Sequence, residues 1–178
     1  VRIVSSIGFT DGSYRIFPLF RYQDAAYHDI TAAPRRCKSK QIKEPVMPHV
    51  TLQISGHPDT ELMHRAVAAV GDLTQRVLGK DAPVIATTIT FIPREQWFIG
   101  GKPLSEHRTG RNAFQLDISV TDETNTKAEK AAFLQQAFEA LSEVIGDVNE
   151  VSYIHVIDAR AAAYGYGGKS QEFRHQHR

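Results

Sequence analysis

From residue 48 onward the sequence runs through one pattern twice, and this repeat constrains the fold more than any other feature. In the first pass Val50, Leu52 and Ile54 alternate with Thr51, Gln53 and Ser55, the period of a half-buried strand. Leu62, Ala66, Val70, Leu73 and Val77 then recur at helical spacing across residues 59–78, and Gly79 ends the helix. A strand over 87–92 and the turn Trp97-Phe98-Ile99-Gly100-Gly101 complete the unit. The second pass keeps the order: a strand with Phe114, Leu116, Ile118 and Val120, a helix over Lys127–Ile145, Gly146, a strand over 153–158, and Tyr164-Gly165-Tyr166-Gly167-Gly168. Gly79 precedes Gly146, and Gly100 precedes Gly167, by the same offset.

Two βαβ units of this length, 48–101 and 113–168, require parallel strand pairs joined by right-handed crossovers, and each helix has one apolar stripe to bury. The expected fold is α+β: a four-stranded mixed sheet with two helices on one face. The polar linker around Gly110 joins the units within one domain, 47–178. The sheet's second face is expected to hold enough apolar area to need covering by other subunits. The repeat is chemically asymmetric, because the offset that aligns the glycines sets Gln115 against Pro48.

Composition narrows the function classes. With 178 residues, 42% of them hydrophobic, and a net charge of +1, the chain suits one ordinary core and gives no reason to expect a nucleic-acid partner. Cys37 is the single cysteine, which excludes an intrachain disulfide and fits a reducing compartment. No apolar run approaches the roughly 20 residues of a membrane helix, and the first residues lack a signal-peptide core, so a soluble cytoplasmic protein is expected. Residues 1–46 scatter aromatics among basic residues without sustained period. Two readings are open for them: a genuine extension, or an upstream reading frame ahead of a start at Met47.

That start matters because of Pro48. An internal proline at the head of a strand marks a boundary, having no amide hydrogen to give the ladder. After removal of Met47 it is a terminal secondary amine instead. A terminal amine titrates near 8 when solvated, and burial lowers that value by disfavouring the charged form. The neutral amine is a general base able to move a proton between the carbon and oxygen of an enol.

Met47-Pro48-His49-Val50 opening a duplicated βαβ unit, with an aromatic residue ahead of each paired-glycine turn, resembles the 4-oxalocrotonate tautomerase family of the superfamily that includes macrophage migration inhibitory factor, in its fused, longer form. The resemblance spans Pro48 to about Arg174. It implies a trimer, no cofactor or metal, a small enol or keto substrate, and Pro48 as catalytic base. It also implies Trp97 as an aromatic wall near the proline; a hydrophobic plug between subunits is the compatible alternative.

Departures from the family are equally informative. The substrate-binding arginine after the first strand is replaced by Gly56-His57-Pro58, and the one on the second strand by about Ala86. The hydratase and dehalogenase branches use an arginine pair where this chain has Asp122-Glu123, which repels a carboxylate. Arg108, Arg111 and Arg160 are the candidate replacement cations, each weighed against a solvated surface role. Asn125 is a candidate carbonyl donor or part of a helix cap; Tyr153 and Tyr164 are candidate hydroxyl donors or packing residues; His155 either lines the pocket or is simply hydrogen-bonded in its strand. Gly167-Gly168-Lys169-Ser170 is a hairpin rather than a phosphate loop, and the pair His175 and His177 reads as solvated. A silent oligomeric binding protein of the same fold is the alternative function, and the natural N-terminus discriminates the two.

Overall fold

The computed structural model describes residues 47–109 and 111–177; the expectations for residues 1–46 lie outside them. Strand β1 (His49–Ser55) leads through helix α1 (Thr60–Arg76) to β2 (Ala86–Ile92), which pairs with it in parallel. The second unit repeats this with β5 (Phe114–Thr121), α2 (Lys127–Ile145) and β6 (Tyr153–Ala159), also parallel. Between them lies a hairpin, β3 (Phe98–Ile99) and β4 (Lys102–Pro103), and after them a second, β7 (Gly165–Tyr166) and β8 (Lys169–Ser170), followed by a short helix α3 (Gln171–Gln176). The sheet order is β2-β1-β5-β6. The two units meet through β1 and β5, which run antiparallel with His49 opposite Ser119 and Ile54 opposite Phe114.

Local chemistry explains the boundaries. Asp59 caps α1 by accepting from the Leu62 amide at 3.0 Å. Thr126 opens α2 in a reciprocal capping box with Glu129. Helix α1 stops at Arg76, shorter than the apolar pattern suggests, because Gly79 at φ 65° turns the chain back and the Lys80 amide returns to the Thr74 carbonyl. Among the described residues no helix is long and apolar enough to cross a membrane.

The alternating apolar residues of both central strands face the helices. Val50, Leu52 and Ile54 of β1 and Phe114, Leu116, Ile118 and Val120 of β5 are fully buried against Ala66 and Val70 of α1 and Phe133, Ala137 and Leu141 of α2. Each of the larger of these side chains, alanines aside, contributes about 1.5–3 kcal/mol by leaving water. The sheet's other face is polar, which corrects the expectation of an apolar surface needing cover: its rows read Thr88-Thr51-Asp117-His155 and Thr90-Gln53-Gln115-Tyr153 across the four strands. The alternation supplies one apolar face per strand, and the helices take it.

The hairpins are not equal. In β7 a Cβ on Gly165 would run into the Lys169 carbonyl oxygen and come within 2.6 Å of the Ser170 Cα, whereas the matching place in the first unit holds Phe98. Tyr164 just before it is held by the Gln171 amide, which donates to the Tyr164 carbonyl at 2.8 Å. Gly165→Ala should therefore cost about 1–3 kcal/mol through backbone overpacking. Thermal melting checks this, since a variant melting with the parent would show that the hairpin yields freely.

Candidate active site

The sheet has two ends, and the sequence candidates divide between them. Pro48 is buried immediately before β1, and its carbonyl accepts from the Ala86 amide at 3.3 Å. Because β5 runs against β1 and β6 runs with β5, the C-terminal ends of the second unit's strands come to this same end. Two further side chains lie at this end, one from each unit. The Tyr164 hydroxyl donates to the Ser119 carbonyl at 3.2 Å. Burial pushes the Tyr164 phenol above its ordinary value, with a smaller opposing effect from a hydrogen bond with the His49 backbone. Lys80 is only 4% exposed, and its Nζ donates to Thr124 Oγ1 at 2.9 Å, while that hydroxyl in turn donates to the carbonyl of Thr121, the last residue of β5.

Asn125 and Arg160 lie at this end as well. Asn125 donates to the Leu78 carbonyl at 3.0 Å and lies 3.4 Å from Glu129, so its amide ties the exit of α1 to the entry of α2. Arg160 is exposed just beyond β6. Asp158 is neutralised by Lys130 at 2.6 Å, whereas Asp122 and Glu123 stand exposed in the turn after β5. A cavity of about 240 Å³ lies along residues 162–170, with Tyr164, Tyr166, Lys169 and Ser170 in its wall.

Trp97 and Tyr153 lie at the opposite end. The parallel pairing of β1 and β2 carries the chain a full strand length, about 20 Å, before Trp97 is reached. There Gln53, Gln115, Trp97, Phe98, Val151 and Tyr153 surround a cavity of about 410 Å³, with Phe98 61% and Tyr153 66% exposed. Arg111 is also at this end, in an ion pair with Asp147 at 3.4 Å, and Arg108 is exposed in the loop after β4. His155 sits mid-sheet on the polar face, 3.8 Å from Asp117. Within one chain, then, Pro48 is joined by Asn125 and Arg160 but not by Trp97, Tyr153, Arg108, Arg111 or His155.

Lys80 was absent from the sequence candidates. A lysine just past a helix-ending glycine is the ordinary solvated partner of a helix C-terminus, and nothing in its neighbours signals burial. The one available signal was its spacing: it lies between the helix stop and the strand that returns beside Pro48.

Comparison with solved structures places this architecture. It matches a fused 4-OT in its wild-type symmetric trimer with a TM-score of 0.59 at 14% identity, over 71% of this chain and 98% of that one. It matches Pt0534, solved after inactivation by 2-oxo-3-pentynoate, with a TM-score of 0.61 at 14% identity, over 73% and 99%. This chain shares the fold of these fused 4-OT structures, with two βαβ units in one chain. A macrophage migration inhibitory factor-like protein from Entamoeba histolytica shares it at a TM-score of 0.57 and 17% identity, over 70% and 98%. No family model matches the sequence, and no curated protein does, so the likeness is one of fold. The match covers nearly the whole length of each of these three structures.

Proposed function

We propose that the chain is a cofactor-independent tautomerase in which Pro48, freed by removal of Met47, is the general base for interconverting the enol and keto forms of a small 2-oxo acid. The observation that carries this reading is the setting of Pro48: buried, at the sheet end to which Lys80, Asn125 and Tyr164 also come. Burial favours the neutral amine. In ketonisation the amine takes the proton of the enol hydroxyl, the carbonyl forms, and the resulting ammonium returns a proton to carbon, so atoms and electrons balance without a cofactor. Lys80 supplies the cation for the substrate carboxylate in place of the family's arginines.

The distance between Pro48 and the aromatic wall favours an assembly. Fused 4-OT proteins have been solved as trimers, and the same assembly here would bring Trp97 and Tyr153 of one copy to the Pro48 end of the next. Mixing tests this directly. Pro48→Ala and Trp97→Ala proteins, each impaired alone, should recover activity when unfolded and reassembled together, because some interfaces then join two intact halves. Absence of recovery in mixed oligomers confirmed by mass would mean that Trp97 does not serve a neighbouring site.

The reading itself is tested by the natural N-terminus and one assay. Mass spectrometry should find a chain beginning at Pro48, and that protein should ketonise phenylenolpyruvate faster than background. An oligomer with a free Pro48 and no catalysis would be the silent binding protein instead.

A further inference from the structure

The two ends of the central strand pair are built alike and finished differently. At the end away from Pro48, Ser55 closes β1 opposite Ala113, and its hydroxyl accepts from the Ala113 amide at 2.8 Å. Thr121 closes β5 in the corresponding place at the Pro48 end, because the register that sets His49 against Ser119 sets Thr121, two residues on, against Met47. Thr121 is only 7% exposed, yet its hydroxyl has no hydrogen-bond partner among the described residues. The hairpins differ in the same way. Leu104 follows the first and donates its amide to the Trp97 carbonyl at 2.8 Å, whereas Gln171 follows the second and donates to the Tyr164 carbonyl at 2.8 Å. Both side chains are buried, but one is apolar and the other is an amide whose Nε2 has no partner among the described residues. Gln171 and Thr121 belong to one locality. The Gln171 and Glu172 amides bind back onto the segment 161–164, which continues from Ala159, the register partner of Thr121, and Tyr164 of that segment returns to Ser119.

Building on the Pro48 reading, we infer that Thr121 and Gln171 are the donors that hold the reacting oxygen of the substrate. A buried donor without a partner weakens a fold, and this fold does not need either one: at the opposite end the hydroxyl is paired and the amide is replaced by leucine. Removal of Met47 takes away the residue that stands against Thr121 in the register and leaves that place to a ligand. Ketonisation builds negative charge on the enol oxygen as its proton passes to the proline amine. A hydroxyl and an amide N–H directed at that oxygen stabilise the enolate and then the carbonyl it becomes. The proton still moves from oxygen to nitrogen to carbon, so the balance of the reaction is unchanged. Neither donor is charged, and together they complement Lys80, which takes the carboxylate.

The test uses the protein that begins at Pro48, assayed for phenylenolpyruvate ketonisation. Gln171→Leu installs the residue that the first unit carries at this place, and Thr121→Val keeps the outline of the threonine side chain without its hydroxyl. Each should lower kcat at least about tenfold, toward the roughly hundredfold loss of a missing oxyanion donor, while KM moves less than about threefold. Each should also melt at or above the parent temperature, since a buried unpaired polar group has been removed. A residue kept for packing would give the reverse, a lower melting temperature with kcat intact. One readout needs no turnover: the Gln171 side-chain amide resonance, assigned by its loss in Gln171→Leu, should shift when phenylpyruvate is added. Unchanged kcat in either variant, or an amide resonance that phenylpyruvate leaves in place, would overturn the inference while an active parent keeps the proline mechanism standing. An inactive parent would overturn the proline mechanism and this inference together.

Discussion

Any residue retained ahead of Pro48 should abolish ketonisation. A preceding residue converts the amine into an amide, whose nitrogen has no basic lone pair, and a positioned general base is worth about 10²- to 10⁴-fold. Protein that keeps Met47 should therefore lose a factor in that range, although nothing in the core changes, since the core is built from Val50 onward. Pro48→Ala is the complementary variant. It keeps a terminal amine, a primary one, but removes the ring that limits its orientation, so it should lose most but not all of the rate. In the parent, kcat/KM should rise with pH as the ammonium loses its proton and then level off, at a pH below that of a solvated terminal amine because burial disfavours the charge. Equal rates for all three proteins would remove Pro48 from the mechanism.

Lys80→Met should weaken 2-oxo acid turnover by roughly ten- to a hundredfold in kcat/KM, the loss expected for a charge-assisted contact worth about 1.5–3 kcal/mol. Methionine keeps the length and apolar stem of a side chain that is only 4% exposed, so the change tests charge more than packing. A neutral enol should be affected far less, and that comparison separates a carboxylate anchor from a structural lysine. One cation also limits what the site gains from a second carboxylate. A diacid should exceed its matched monoacid by less than about tenfold in kcat/KM, with Asp122 and Glu123 exposed at the same end. A large diacid preference that disappears in Arg160→Ala would transfer the anchoring role to Arg160, the one candidate arginine at the Pro48 end.

Much of the fold was legible before any coordinates. Strand alternation, helical stripes, terminating glycines and a constant offset are local signals, and local signals repeated twice fix two βαβ units. Pro48 stood out for the same reason: the role proposed for it depends first on what precedes it in the chain. The polarity of the sheet's open face was misread because an alternating strand announces one apolar face without saying whether a helix or another subunit will cover it. The helices cover it here, leaving Thr51, Gln53, Gln115 and Asp117 outward.

What only the tertiary structure decided was which residues share an end of the sheet. No periodicity specifies that β1 and β5 form the central pair or that they run antiparallel, because strand pairing is a long-range choice made among segments of similar pattern. That choice brings Tyr164, just ahead of the second hairpin, to the Pro48 end of the sheet and sends Trp97, the aromatic of Pro48's own unit, a strand length away. Burial of Lys80 follows from the same packing, since the exit of α1 is trapped against the turn that leads into α2. The sequence by itself determined the two units; their antiparallel meeting determined which residues lie at the Pro48 end.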